Sequence, residues 1–292
     1  SNGRGTDTPP SGRTEAQRCK SVEPVPGSER PNLQQANADP TKRREEMEID
    51  RAITEAYFAA HDGFSVDRFL ADPELTSVFA DRWQHLSIPG KQAGWSRRLL
   101  RLRKSGRLPK TGQCRRVTVS AGQMDRYVFA SEIAWQILRG SHEDISLDDV
   151  LCDPNIGQQF DRLAEDLAPG FRPVDYRWAA LHIRKRAHQI RRGANRLPEE
   201  FAPKALPRLN PVTKFPFGRH IKRSGVYLIS SSSSDQCYFG ETFDLSSRLI
   251  QHRAANSEVL QVKRVGIIPD IDNQLLRLSI RSILIGRFRP TL

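Results

Sequence analysis

The chain has 292 residues, with 46 Lys or Arg against 34 Asp or Glu, so its formal net charge is +12. No apolar run approaches the ~18 residues of a membrane span, and the four cysteines are too far apart for a zinc knuckle or a disulfide framework. We therefore expect a cytoplasmic, nucleoid-associated protein of about two domains, with no membrane partner and with a polyanion such as nucleic acid as its partner. The alternative is a basic protein without such a partner.

The first segment, residues 1–46, is rich in Pro, Gly, Ser, Thr, Arg and Gln and has hardly any apolar residue. Such a segment cannot bury enough surface to offset the entropy lost on ordering. We predict a disordered tail.

An internal repeat follows the tail. The sequence SVDRFLADPELTSVF (65–79) matches SLDDVLCDPNIGQQF (146–160) at a Ser, an Asp, a Leu, an Asp-Pro pair and a Phe. A helix-like segment precedes each copy, and each is followed by a Trp, an Arg-rich run and the tripeptide Arg-Leu-Pro. The pattern predicts two copies of one all-α module, at 47–125 and 126–198.

Within each module the Asp-Pro pair is typical of a helix N-cap followed by the first helical residue. A helix, a turn and a basic helix then follow, which is the layout of a helix-turn-helix DNA reader. On this interpretation, two sets of basic residues contact double-stranded DNA, and they are Arg97, Arg98, Arg101, Arg103 and Lys104 in the first module and Arg184, Lys185, Arg186, Arg191 and Arg192 in the second. The alternative is that these residues form solvated helix faces.

Residues 199–223 carry a Pro every four or five residues among Lys and Arg, which predicts an extended basic linker. In residues 224–292, two β-prone runs joined by a serine-rich loop predict a hairpin. A helix capped by Asp244, a third strand and a long closing helix complete the order β-β-α-β-α. The predicted fold class is therefore α+β, with tandem all-α modules before a small mixed domain.

The C-terminal unit resembles the GIY-YIG nuclease superfamily over about 70 residues. The resemblance is carried by Gly225-Val226-Tyr227, then Tyr238-Phe239-Gly240, then Arg248 and, one helical turn later, His252. It implies a metal-assisted endonuclease in which the tyrosines assist the nucleophile and contact phosphate. The resemblance further implies that Arg248 stabilises charge on the phosphoryl oxygens and that His252 shuttles a proton or binds phosphate. The alternative is that both tyrosines are core residues of the hairpin and that Arg248 is a surface charge.

One departure concerns the divalent ion, Mg²⁺ or Mn²⁺, that the resemblance implies. The family holds it with a Glu in the closing helix, and the present sequence has Arg281 at that position. A buried guanidinium needs an acidic partner, and Glu241 is the candidate that we predict.

Three interpretations of this departure stay open: Glu241 has taken over the metal, the domain is inactive and only binds DNA, or Arg281 is an engineered change. The expected function is a DNA endonuclease, of a restriction, defence or homing type. A dimer on DNA, or two successive nicks, would be needed for double-strand cleavage. The alternative function is a non-catalytic DNA-binding regulator that carries a decayed nuclease domain.

Overall fold

The computed structural model describes residues 40–85, 89–110, 115–116, 119–142, 144–231, 237–255 and 261–288. Most of the predicted tail lies outside these residues, but its end at 40–46 is helical and forms the first turns of α1. Among the described residues, no helix combines the length and the apolar character that crossing a membrane requires.

The two sequence repeats each form four helices in the same order. The first four are α1 (Pro40–Ala60), α2 (Val66–Ala71), α3 (Pro73–His85) and α4 (Gln92–Lys104). The second four are α5 (Ala121–Ser141), α6 (Leu147–Cys152), α7 (Pro154–Leu167) and α8 (Pro173–Arg196). The predicted Asp-Pro caps are confirmed, because Asp72 and Asp153 each accept a hydrogen bond from the backbone two residues on.

The boundary predicted at residues 125 and 126 is wrong, because it lies inside α5. That helix begins at Ala121, after a capping box in which Ser120 and Gln123 bond each other's backbone N–H. The Ser-x-x-Gln spacing is a helix-start signal that the sequence already contained.

The C-terminal part has the predicted order of elements and one additional strand. The order is β1 (Asn210–Pro211), β2 (Gly225–Ser231), β3 (Cys237–Thr242), α9 (Leu245–Ala254), β4 (Val262–Pro269) and α10 (Gln274–Phe288). The sheet is antiparallel, in the order β1-β4-β2-β3. The protein is thus α+β and mostly helical, with a small sheet near its C-terminus.

Residues 199–223 are more than the predicted linker, because β1 extends the sheet and apolar side chains hold the segment down. Val212 and Phe215 are buried in a hydrophobic cluster that also contains core residues of both helical modules. Tyr227 and Tyr238 belong to the same cluster, whereas Val226 and Phe239, which point to the opposite face of the sheet, pack with Leu284 of α10. From Glu45 onward the chain forms one compact unit.

Candidate active site

The β2–β3 hairpin places the two predicted catalytic tyrosines side by side. Tyr227 lies opposite Gly240 and Tyr238 lies opposite Ile229, so the two rings share one face of the sheet with centroids 6.1 Å apart. A Cβ atom at Gly240 would lie 2.2 Å from the Tyr227 hydroxyl oxygen. Glycine at position 240 is therefore required for Tyr227 to lie flat across the neighbouring strand.

Helix α9 brings Arg248 and His252 to the same place. Asp244 caps the helix by accepting a hydrogen bond from the Ser247 backbone, as predicted. The Tyr227 hydroxyl and His252 Nε2 are 2.9 Å apart and form a hydrogen bond. The structure thus brings together four of the five predicted catalytic side chains: Tyr227, Tyr238, Arg248 and His252.

Burial determines the protonation states at this site. It raises the pKa of Tyr227 and of Tyr238 above the ordinary range, so both phenols keep their protons at neutral pH. Burial, and then the positive charge of Arg248, lower the pKa of His252 well below its ordinary value, so its imidazole is neutral. The four predicted catalytic side chains are therefore three neutral hydrogen-bonding groups, Tyr227, Tyr238 and His252, beside one buried cation, Arg248.

Helix α5 of the second module lies across the site and contacts it through three residues on one helical face. Asp125 forms an ion pair with Arg248 at 3.1 Å and accepts a hydrogen bond of 2.8 Å from the Thr242 hydroxyl. The Phe129 ring centroid is 4.1 Å from the Arg248 guanidinium carbon and 4.6 Å from the His252 ring centroid. Arg248 therefore has an acid and an aromatic ring where the resemblance would place a phosphate.

The third residue of this face, Glu132, binds the other side of the site. It accepts a hydrogen bond of 2.9 Å from the Tyr238 hydroxyl and forms an ion pair with Arg281. Arg281 Nε also donates to the Phe239 carbonyl oxygen at 2.6 Å. Although burial alone would lower the pKa of Arg281, the negative charge of Glu132 raises it overall, so the guanidinium is permanently charged.

The predicted pairing of Arg281 with Glu241 is wrong. Glu241 accepts a hydrogen bond of 2.8 Å from Arg277, a fully buried arginine one turn earlier in α10, and Gln274 lies 3.4 Å from its other oxygen. The sequence argument identified the need for an acid near Arg281. The acid comes from Glu132, a residue 149 positions away in the chain.

The residues at the implied metal position do not fit a divalent cation. A guanidinium occupies the position of the expected ligand, and the carboxylates of Glu132 and Glu241 are each bonded to an arginine. Among the described residues, no group of three or more His, Cys, Asp or Glu side chains is arranged to hold a metal ion. Both carboxylates are thus already used in ion pairs with arginines and are not arranged as metal ligands.

The site is closed to a macromolecular substrate. Tyr227, Tyr238, Arg248 and His252 are each at most 2% exposed. The adjoining cavity between α5, α8 and α10 has a volume of about 60 Å³, lined by Glu132, Tyr238 and Arg281 among others. A cavity of that size holds a few water molecules, because each needs ~10–15 Å³. A phosphodiester could reach Arg248 only if α5 moved away.

The predicted DNA-binding residues on α4 and α8 are largely engaged within the protein. Six of the ten form ion pairs, and these are Arg97 with Asp149, Arg98 with Asp50, Arg103 and Lys185 with Asp67, and Lys104 and Arg184 with Asp148. Arg186 bonds Gln274, and Arg192 bonds His188. Arg101 and Arg191 are exposed and have no side-chain partner among the described residues. The α4 and α8 cations therefore hold the two modules together, and their role on DNA stays a prediction.

Sequence reasoning missed Asp125, Phe129 and Glu132. Their spacing of four and three residues places them on one face of a helix, and two of them are acids at positions that a core-facing stripe would give to apolar residues. That pattern was the available signal. It did not reveal the partner of this face, because periodicity says which residues share a face and not what covers it.

The chain has no significant match to any protein-family model, to any curated protein or to any solved structure.

Proposed function

We propose that this protein binds nucleic acid through a C-terminal domain that resembles GIY-YIG nucleases but does not cleave, because the face that would be catalytic is an internal interface. The order β-β-α-β-α and the two adjacent tyrosines support the GIY-YIG-like arrangement. The net charge of +12 supports a polyanionic partner, and duplex DNA is the partner that we propose.

The closure by α5 is the observation that carries the proposal. Each side chain that the resemblance would assign to phosphate or metal has a partner within the chain instead: Asp125 for Arg248, His252 for Tyr227, and Glu132 for both Tyr238 and Arg281. Breaking a buried ion pair by removing one partner costs ~3–5 kcal/mol. Two such pairs hold α5 in place, so a substrate would have to displace both.

Electrostatics at the metal position support the same conclusion. The Arg281–Glu132 pair is electrically neutral overall, so it offers a divalent cation no net attraction. The guanidinium of Arg281 also occupies the position at which the resemblance implies a carboxylate that binds the metal ion. The protonated phenols of Tyr227 and Tyr238 can donate hydrogen bonds but cannot accept a proton from water.

The test compares binding with cleavage in one set of samples. The full chain is incubated with supercoiled plasmid in 10 mM Mg²⁺, in 10 mM Mn²⁺ or in EDTA, and bound and nicked DNA are measured by gel. We expect bound DNA in all three buffers, with somewhat lower affinity in the two divalent salts because the added cations compete for the phosphates, and no nicked circles. Metal-dependent nicking that Tyr227→Phe removes would overturn the non-catalytic proposal. If the chain bound DNA in none of the three buffers, the choice of DNA as partner would be wrong.

The second candidate is an endonuclease that α5 keeps closed, and unpaired atoms favour it. Two buried nitrogens of Arg248, Nε and Nη1, and His252 Nδ1 have no hydrogen-bond partner among the described residues. An unpaired buried donor costs ~1–3 kcal/mol, more when it is charged. An anion entering the site after α5 moved would satisfy these donors.

Four chains separate the candidates: the unmodified protein, Arg281→Glu, Glu241→Gln and Tyr227→Phe. A closed nuclease that needs the family's carboxylate would gain nicking activity by orders of magnitude in Arg281→Glu. A nuclease in which Glu241 holds the metal would be active unmodified and inactive as Glu241→Gln. If none of the four cleaves DNA that it binds, the non-catalytic proposal stands.

A further inference from the structure

The C-terminal part carries a cationic surface, and the described acid beside it, Asp270, forms an ion pair with Arg223. The described segments 201–231, 245–255 and 261–269 have five, one and two exposed Lys or Arg residues, respectively, and no Asp or Glu. None of the exposed cations in these segments is among the ten residues that the sequence indicated as DNA contacts. The charge is therefore a separate feature from that of α4 and α8.

The three segments adjoin one another in the fold. Strand β1 pairs with β4, so that Pro211 lies opposite Arg264, and Arg264 donates to the Leu209 carbonyl oxygen at 3.4 Å. The Arg253 guanidinium of α9 lies 5.9 Å from the ring centroid of Phe217. The cations of the segment before β2 therefore lie beside those of β4 and of α9.

Buried side chains keep this surface in place. Val212 and Phe215 are 8% and 7% exposed and belong to the main hydrophobic cluster. Phe217 packs against Phe215 with ring centroids 5.2 Å apart. Because these apolar residues alternate with Lys214 and Arg219 along the chain, the cations are held outward on a fixed backbone.

The surface cations also lack acidic partners. Arg208, Lys214, Arg219, Arg253, Lys263 and Arg264, which we name the edge surface, are all exposed, and none of them forms an ion pair with another described residue. This contrasts with α4 and α8, where six of ten cations are ion-paired. Exposed, unpaired cations are the ones that release counterions when they meet phosphate.

We propose that the edge surface binds the phosphodiester backbone of duplex DNA, and that it, rather than α4 and α8, is the main nucleic-acid contact of this protein. The proposal rests on the proposed function in requiring that the protein bind DNA at all. Charge selects the partner, since a row of cations on a rigid edge complements a row of phosphates. The competing explanation is that Lys and Arg here keep the sheet edge from pairing with another chain.

The experiment uses the full chain and two triple variants that remove the same charge. The test variant is Arg208→Gln/Lys214→Gln/Lys263→Gln. The control variant is Arg82→Gln/Arg139→Gln/Arg162→Gln, which changes three exposed helix cations that have no ion pair among the described residues. Binding to a labelled 30-base-pair duplex is measured by anisotropy over a range of salt concentrations, and thermal melts check that all three chains are folded.

We expect the test variant to lose about tenfold or more in affinity, and its salt dependence to fall by about 0.9 for each phosphate contact removed. The control variant should stay within about twofold of the unmodified chain. Equal losses of affinity in the two variants would overturn the assignment of DNA binding to the edge surface, while the proposal that the protein binds DNA would stand. A test variant that keeps its affinity but self-associates on a sizing column would also overturn it, in favour of edge protection.

Two further outcomes separate this inference from the proposed function. No binding of the duplex by the unmodified chain would remove both. If the test variant lost affinity for phosphatidylserine vesicles while its DNA affinity was unchanged, the surface would be one for lipid, and the DNA assignment would be wrong.

Discussion

Asp67 and Asp148 hold the same place in the two modules, and each accepts one cation from the last helix of each module. Asp67 binds Arg103 of its own module and Lys185 of the other, the latter at 2.9 Å. Asp148 binds Arg184 of its own module at 2.7 Å and Lys104 of the other at 2.6 Å. Corresponding basic residues of the two modules thus pair with corresponding acids. Because each acid binds one cation from each module, this exchange of ion pairs holds the modules together.

This exchange predicts that Asp148→Asn lowers the free energy of unfolding at pH 7 by about 1 kcal/mol, as expected for a partly exposed network of ion pairs. Burial would raise the pKa of Asp148, but its hydrogen bonds with Lys104 and Arg184 lower it overall. The contribution is therefore complete above the ordinary Asp pKa of about 3.9 and is lost as pH falls through the folded-state value. Urea titrations at pH 7 and pH 3 measure it.

Asp144→Asn is the matched control and should change little at either pH, because this exposed acid of the same module forms no ion pair with another described residue. The two proteins with and without the Asp148 carboxylate should converge in stability at pH 3. A difference that persisted at low pH would mean that the substitution acts through packing and not through charge.

The same pairing predicts that Arg184→Gln affects stability more than DNA binding. The substitution leaves Asp148 with one cation instead of two, so we expect a lower midpoint of unfolding. Because Arg184 is engaged with an acid, its loss should change duplex affinity by no more than about twofold. Urea unfolding and anisotropy on one preparation test both parts. A tenfold loss of affinity with unchanged stability would restore α8 as the DNA-reading helix.

Local signals in the sequence predicted the elements better than their partners. The Asp-Pro caps, the Asp244 cap and the order β-β-α-β-α follow from residues close together in the chain, and all are present. The ion pairs of Arg248 and Arg281 with α5 join residues more than 100 positions apart. Charge balance required an acid beside Arg281, and nearness in sequence favoured Glu241. In the structure, however, Glu241 forms its ion pair with Arg277 of α10.

The closed site predicts that Glu132→Ala destabilises the protein by about 3–5 kcal/mol. The change leaves the Arg281 guanidinium buried without its counter-charge and removes the acceptor of the Tyr238 hydroxyl. The double variant Glu132→Met/Arg281→Met removes the charge on both sides and should recover most of that loss. Urea unfolding of Glu132→Met, of Arg281→Met and of the double variant gives the coupling energy. A Glu132→Ala cost near zero would contradict the buried ion pair.

Arg281→Glu predicts a divalent-ion response that the unmodified protein lacks. Two carboxylates would then lie beside Tyr238, and their repulsion would be relieved by a bound cation. In 10 mM Mg²⁺ we expect the melting temperature of this variant to rise by a few degrees, as binding at ten times the dissociation constant stabilises by about 1.4 kcal/mol. The unmodified chain and Arg281→Gln should not respond. Equal shifts in all three would place the ion elsewhere.

His252 predicts an acid-sensitive closed face. Its pKa is lowered by burial and by Arg248, and the other groups that face it are the Tyr227 and Tyr238 phenols and the Phe129 ring, none of which offers a negative charge at neutral pH. The neutral imidazole therefore contributes stability that is complete above the ordinary His pKa of about 6.5 and is lost as pH falls toward the folded-state value.

Between pH 7.5 and 5.0 the unmodified chain should lose up to about 2 kcal/mol more of its free energy of unfolding than His252→Gln, at about 1.4 kcal/mol per pH unit below 6.5. His85→Gln, at an exposed histidine of α3, should follow the unmodified profile. Parallel profiles for His252→Gln and the unmodified chain would show that the pKa of this imidazole is the same in the folded and the unfolded protein, and would contradict the lowered pKa.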